Sequence, residues 1–315
     1  MWLKDTSELL RELEERKVRI VAIQIPEGLK RTAAGLAGSL KDAGFDVIIS
    51  GDPCYGACDL ALDTLNIADV LVHIGHAPVD VRENVIHVPY HLDFDLDVLE
   101  NALQYLKGPV TGLVTTVQHV QQVADIEEWL HKKGVAVSVA EGSGRTPLRG
   151  QILGCSFSAA RSANADEILV IGTGMFHAIG VAIATGLRVI ALDPFTGTVK
   201  EVEGNSLLRR RFALIEQAKG ANTIGIIVSL KSGQQRMDLA RNLVALHPGA
   251  MIVTMKEVSP DELLNLGFDA YVNTACPRLA YDDQSRFPVP VLSPQEFEIL
   301  CGVRKWDDYA IDEIP

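Results

Sequence analysis

The sequence predicts an α/β protein made of three similar small domains. Each is a four-stranded, mostly parallel sheet with flanking helices, and the three are arranged around a pseudo-threefold axis. Three observations carry this. Near-continuous apolar runs such as VRIVAIQIPEG (18–28) mark strands buried on both faces, as parallel sheets require. These runs alternate with helical periods along the chain. The same order recurs three times with residues in register. Cys58 lies ten residues before Ala68-Asp69, and Cys155 ten before Ala165-Asp166; Gly75 and Gly172 each follow their aspartate by six. In the third copy Asp269-Ala270 takes the Ala-Asp role, and Cys276 falls seven residues after Asp269. That place matches His76 and Thr173, at the tip of the third strand rather than in the preceding loop.

The first domain spans 1–107. Residues 6–16 form a leading helix capped by Thr6 or Ser7, with Leu9, Leu10 and Leu13 on one face. After the strand 18–28 comes a helix over 29–43 that turns Ala34, Leu36, Ala37 and Leu40 inward and stops at Gly44. Strands follow at 45–51, 68–78 and 84–90, with a short helix starting near Cys58. The second domain, 108–220, runs strand 110–117, helix 118–133, strand 135–142, then a loop to Cys155 and a short helix. Strand 165–174, helix 176–186 and strand 188–194 complete it. The third, 221–315, runs strand 223–230, helix 234–246, strand 250–255, helix 259–266 and strands 268–277 and 289–294.

Length and composition fit this division. The chain has 315 residues, 47% hydrophobic and 22% charged, enough for two or three ordinary cores. A formal net charge of -12 argues against direct nucleic-acid binding through counterion release. An acidic surface suits a basic protein partner. Five scattered cysteines do not form a secreted disulfide framework. The N-terminus lacks the apolar run of a signal peptide, and no stretch approaches the roughly 18 apolar residues that span a membrane. The expectation is a cytoplasmic protein with reduced thiols.

Cys58, Cys155 and Cys276 all lie just past carboxyl ends of strands, the edge at which open parallel sheets bind ligands. Three domains with those ends inward would gather the thiols. Three thiolates leave one metal position open, as in a [4Fe–4S] cluster with one substrate-accessible iron, whereas structural sites close with a fourth ligand. Zinc held by the three cysteines and His76 is a competing reading. The plain alternative is ordinary α/β domains with unrelated buried cysteines. Cys54 precedes the shared register position and is read as a spare thiol. Cys301, in EFEILCGV, sits on an apolar helical face and is read as core.

GDPCYGACDLA, GQILGCSFSAAR and NTACPRLAYDD, with the opening IQIPEGLKR, resemble the archaeal Dph2-type diphthamide synthases, 2-(3-amino-3-carboxypropyl)histidine synthases, over essentially the whole chain. The resemblance implies a [4Fe–4S] cluster held by Cys58, Cys155 and Cys276, one from each domain. It also implies a homodimer, an electron donor, and an unusual cleavage of S-adenosylmethionine (SAM) at the bond from sulfur to the methionine γ-carbon. The 3-amino-3-carboxypropyl radical so formed modifies a histidine of translation elongation factor 2. Quinolinate synthase is similar in having three α/β units around a three-cysteine cluster, but acts on small molecules; the CYGAC and NTACPR contexts favour the diphthamide family.

Candidate SAM contacts follow. Arg278 could grip a carboxylate in a two-pronged way, or pair with Asp282 or Asp283. Gln234 and Gln235, in SLKSGQQR between a strand and a helix, could hold a carboxylate or ribose, or serve an ordinary cap. Gly172 and Gly174 in IGTGMFHA permit close backbone approach. His76 could face SAM or substrate, or be a structural histidine. Arg209, Arg210 and Arg211 read as the solvated face of a linking helix, with docking to the elongation factor as the lesser reading.

Overall fold

Apolar runs fix where the strands fall. In the computed structural model, which describes residues 6–315, they build three sheets in two units, one ending at Leu92 and the other running Asp93–Pro315. In the first unit α1 (Ser7–Glu15) leads into β1 (Ile20–Gln24), a 3-10 turn, α2 (Ala33–Asp42) and β2 (Asp46–Ile49). A long loop with a 3-10 turn at Leu62–Asn66 precedes β3 (Val70–Ile74) and β4 (Val85–Val88). The order is β2-β1-β3-β4, all parallel. Leu13, Ile23 and Leu40 are fully buried where α1 and α2 cover one face, each contributing about 1.5–3 kcal/mol by burial.

The second unit holds two sheets. Its chain runs α3 (Glu100–Leu103), β5 (Thr111–Thr115), α4 (Val123–Lys132), β6 (Val137–Ser138), α5 (Ser158–Ser162), β7 (Glu167–Ile171), α6 (Phe176–Thr185), β8 (Arg188–Leu192) and β9 (Val199–Val202). It continues through α7 (Asn205–Ala218), β10 (Ile224–Ser229), α8 (Met237–Val244), β11 (Ala250–Met255), α9 (Pro260–Leu266), β12 (Ala270–Asn273), α10 (Pro277–Tyr281), β13 (Val291–Leu292) and α11 (Pro294–Leu300). The sheets are ordered β6-β5-β7-β8-β9 and β11-β10-β12-β13. All three sheets therefore share one winding, second strand outside first, then third and fourth. Strand order reverses between the first and third strands of each, which opens a crevice at their carboxyl ends.

The Ala-Asp register has a physical basis. Each aspartate caps the start of its sheet's first strand. Asp69 Oδ2 accepts from the backbone N–H groups of Arg19 and Ile20 at 2.9 and 2.8 Å. Asp166 Oδ2 accepts from Val110 N–H at 3.0 Å, and Asp269 Oδ2 from Asn222 and Thr223 N–H at 2.9 and 2.8 Å. A carboxylate satisfies strand-end donors that the ladder leaves over.

Some expectations change. The second sheet has five strands, because β9 folds back antiparallel on β8 through the turn Pro194–Gly197. Its short VKEV pattern shows little apolar content, and the exposed Lys200 and Glu201 protect the edge. The helix expected near Cys58 is the 3-10 turn four residues later. The helix expected over 234–246 begins at Met237. On α7, Arg209 and Arg210 are exposed, but Arg211 is buried against Glu296, which corrects its reading as a solvated residue.

Candidate metal centre

In the first unit, Cys58 sits half-buried in the long loop after β2. Side chains of β1 and its following turn shape that loop. Gln24 at the end of β1 donates through Nε2 to Asp59 O, and its Oε1 accepts from Ala61 N–H at 3.1 Å. Asp59 Oδ2 accepts from Tyr55 N–H at 2.8 Å, and Cys54 N–H donates to Glu27 Oε1 at 3.2 Å. Cys54 is fully buried, and burial foremost, then the Asp59 charge, pushes its thiol up to about 12. Such a thiol stays protonated and unreactive.

His76, read as a possible ligand, lies beside Cys54 rather than in open solvent. Gly75 holds a left-handed φ of 96° with Pro26 packed against its Cα, so the chain turns sharply and His76 folds back on His73. His73 Nδ1 lies 2.8 Å from Gln24 Oε1, and His73 Nε2 lies 3.0 Å from His76 Nδ1. Gln24 Oε1 can only accept, so His73 carries its proton on Nδ1. In the neutral ring Nε2 then accepts from His76 Nδ1–H, which leaves the lone pair of His76 on Nε2. Burial holds both rings neutral, with His73 lowered to about 3 and His76 to about 4. Cys54, His73 and His76 bring a sulfur and two ring nitrogens within 4.8 Å of one another. A borderline metal could use that set, but the hydrogen-bond chain already satisfies the facing nitrogens without one.

In the second unit, two cysteine loops meet. After β6 the chain rejoins the sheet edge: Thr115 N–H donates to Gly150 O and Ile152 N–H to Thr115 O, both at 2.8 Å. Leu153 and Ser156 then exchange backbone hydrogen bonds at 2.9 and 3.1 Å, which presents Cys155 at the tip of a tight turn. Gly154 is required there, since a Cβ would stand 2.6 Å from the Phe176 ring. Cys276 follows β12 and opens α10, with Pro277 in the first turn. Asn273 shapes its loop, donating to Cys276 O at 2.8 Å and accepting from Ala275 N–H at 3.0 Å. Arg236 joins the loops. It donates to Thr274 O at 2.7 Å and to Ala275 O at 3.3 Å, forms a two-pronged ion pair with Asp312, and its charge bears on the Cys155 thiol. The segment Asp312–Ile314 completes the tie: Ile314 N–H donates to Cys155 O at 2.9 Å.

The electrostatics around Cys155 are mixed. Burial raises its thiol above the usual range, while the charges of Arg145 and Arg236 oppose that rise. Arg145 was not legible as a site residue. It is buried, its Nη2 donates to Gly233 O at 2.7 Å, and its buried Nε has no acceptor.

The other expected contacts divide. Gln234 is buried at the end of a 3-10 turn beside Gly233, whereas Gln235 is exposed. Arg278 is exposed, pairs with Asp282 at 2.8 Å, and lies 4.9 Å over the Phe176 ring. A Cβ on Gly154 would meet its Cδ at 3.4 Å, so Arg278 borders the Cys155 turn. The loop with Gly172 and Gly174 leads directly into Phe176, and open space surrounds both glycines. Cys301 is half-buried against the core of the third sheet. None of the five cysteines is in a disulfide. Among the described residues no helix is long and apolar enough to cross a membrane.

The donor set suits an iron–sulfur cluster better than a closed zinc site. Cys155 and Cys276 are held at adjoining loop tips, and the buried Arg145 and the half-buried Arg236 bring positive charge to bear on Cys155. Residues 25–311 match the model of the family described as "Putative diphthamide synthesis protein". The 2-(3-amino-3-carboxypropyl)histidine synthase of Pyrococcus horikoshii is 37% identical, the match covering 98% of this chain and 92% of that one. Subunit 1 of the corresponding synthase of Nematostella vectensis is 31% identical over 95% of this chain and 68% of its own. A crystal structure of Dph2 from Pyrococcus horikoshii with a 4Fe-4S cluster superposes with a TM-score of 0.93, covering 98% of this chain and 93% of that one.

Proposed function

The chain belongs to the diphthamide synthesis protein family, and from that premise we propose that it catalyses the first step of diphthamide biosynthesis. It would transfer the 3-amino-3-carboxypropyl group of SAM to a histidine of translation elongation factor 2, acting as a cytoplasmic homodimer served by an electron donor. Cys58, Cys155 and Cys276 would hold a [4Fe–4S] cluster, one from each of the three sheets' α/β units. When bound, the cluster supplies a low-potential electron that breaks the bond between the SAM sulfur and the methionine γ-carbon, with a radical transfer to the imidazole and methylthioadenosine as by-product.

The observation that carries this reading is the pairing of the Cys155 and Cys276 loops through Arg236. It supports a shared centre built from cysteines far apart in sequence. The chain's own task is geometric: to orient SAM so that one C–S bond rather than another meets the electron, and to exclude water. In this reading Arg278 and buried Gln234 hold the methionine or ribose end. Gln235 and the loop of Gly172 and Gly174 line the approach, and the Nε2 lone pair of His76 faces SAM or the substrate imidazole.

The test is anaerobic incubation of the reduced, reconstituted protein with SAM and elongation factor 2. Methylthioadenosine release with a gain of one 3-amino-3-carboxypropyl group on the factor is expected. Deoxyadenosine release, or no mass gain on the factor, would refute the reading.

A further inference from the structure

Three arginines of the second unit are deeply placed, and they are compensated differently. Arg211 faces Glu296, and Arg236 faces Asp312. Arg145 is 8% exposed, and among the described residues no carboxylate pairs with it. Its Nη2 is anchored on Gly233 O at 2.7 Å, its Nε is sealed from solvent without an acceptor, and its charge bears on the Cys155 thiol. A buried, uncompensated cation is strongly unfavourable and persists where an anion completes it. A neutral thiol at Cys155 does not.

We propose that Arg145 is a positioning residue for the cluster: its guanidinium donates N–H to the Cys155 sulfur and, as the unpaired cation at that ligand, raises the reduction potential. This rests on the cluster reading given above. With three thiolates the oxidised cluster is a monoanion and the reduced cluster a dianion. A fixed cation therefore stabilises the reduced form more. Hydrogen bonds to cluster sulfurs and local charge are recognised controls of such potentials. The step concerned is the transfer of one electron from an external low-potential donor to the cluster; no proton moves and no bond forms. The anchor on Gly233 gives the geometry a second purpose. Gly233 adjoins Gln234, so Arg145 also couples the Cys155 ligand to the loop assigned to SAM.

The test is an anaerobic redox titration of the reconstituted full chain with dithionite, following the reduced cluster by electron paramagnetic resonance. Wild type is compared with R145Q, R145K and R149Q. The last removes an equal charge four residues away, from an exposed pair with Glu127. R145Q is expected to keep its iron and sulfide content but to show at least a roughly tenfold lower ratio of reduced to oxidised cluster at a matched potential. That corresponds to a midpoint lower by about 59 mV for one electron. R145K should fall between, and R149Q should match wild type. An unchanged midpoint in R145Q, or an equal fall in R149Q, overturns the proposal. So does weakened SAM binding in R145Q at an unchanged potential, which would make Arg145 a carboxylate ligand instead. If R145Q takes up no cluster, resonance Raman decides. Wild type in heavy water must show shifted Fe–S(Cys) modes that R145K lacks, and an unshifted wild type overturns the proposal. A wild type that loads cluster independently of Cys58, Cys155 and Cys276 would overturn the underlying reading instead, and this inference with it.

Discussion

Arg236 and Asp312 form a two-pronged ion pair, Nη1–Oδ1 2.9 Å and Nη2–Oδ2 2.6 Å, at the junction of two cysteine loops. Asp312 is 1% exposed, and the same guanidinium holds two carbonyls just before Cys276. The pair therefore fixes the position of one ligand loop against the segment that holds the other. R236Q and D312N should fold but present Cys276 loosely. Outer-shell losses of this kind weaken metal binding roughly 10–100-fold. Iron retained per chain under chelator competition measures the effect, and retention equal to wild type would show the pair to be only structural.

The cysteines can be sorted singly. C58A, C155A and C276A should each abolish the broad visible absorption of the reconstituted cluster. C54A and C301A should retain it, since one thiol is held protonated by burial and the other packs against the third sheet's core. Absorption and iron analysis of the five variants decide this. A requirement for Cys54 would mean that the repeat register has been drawn one loop position wrong.

The register was legible because one strand-turn-strand unit was reused. Asp69, Asp166 and Asp269 each clamp a first strand, so selection for strand-end hydrogen bonds left equal spacings in the chain. Cys276 was found at a shifted place because its strand, not its loop, carried the count. Arg145 was not legible. Its placement comes from a turn that folds across to Gly233, 88 residues away, and no local periodicity encodes that contact. Arg211 was legible in principle. Leu207, Arg211, Ile215 and Ala218 share the buried face of α7, and helical spacing from Leu207 and Ile215 would have placed it inward despite the two exposed arginines before it.

The buried histidines of the first unit predict a stability that falls in acid. His73 titrates near 6.5 when unfolded and at about 3 when folded, because burial first and the neighbouring His76 next disfavour its cation. Between those values the unfolded chain binds more protons, so stability falls as pH drops below 6.5 and levels off near 3. The slope is at most about 1.4 kcal/mol per pH unit for each such group. Urea midpoints of metal-free protein at pH 7 and pH 5 should differ, and H73Q should reduce the difference. An undiminished slope in H73Q would place the acid sensitivity elsewhere.

The Arg211–Glu296 pair offers a sharper energetic test. Arg211 Nε donates to Glu296 Oε1 at 2.7 Å, and its Nη2 donates both to Oε2 and, at 2.8 Å, to Val291 O. Both side chains are at most 1% exposed. Glu296 also accepts from Ser293 N–H at 2.7 Å in the capping box of α11 and from the Tyr309 hydroxyl at 2.9 Å. R211M removes the cation but leaves the carboxylate bonded and charged in the core. A stranded buried charge costs about 3–5 kcal/mol. E296Q added to R211M keeps the shape and discharges the carboxylate, so the double variant should recover part of that loss. E296Q alone strands Arg211 and should also destabilise. Urea unfolding of the four proteins closes the cycle, and a coupling energy near zero would show that the pair is not the bond joining α7 to α11.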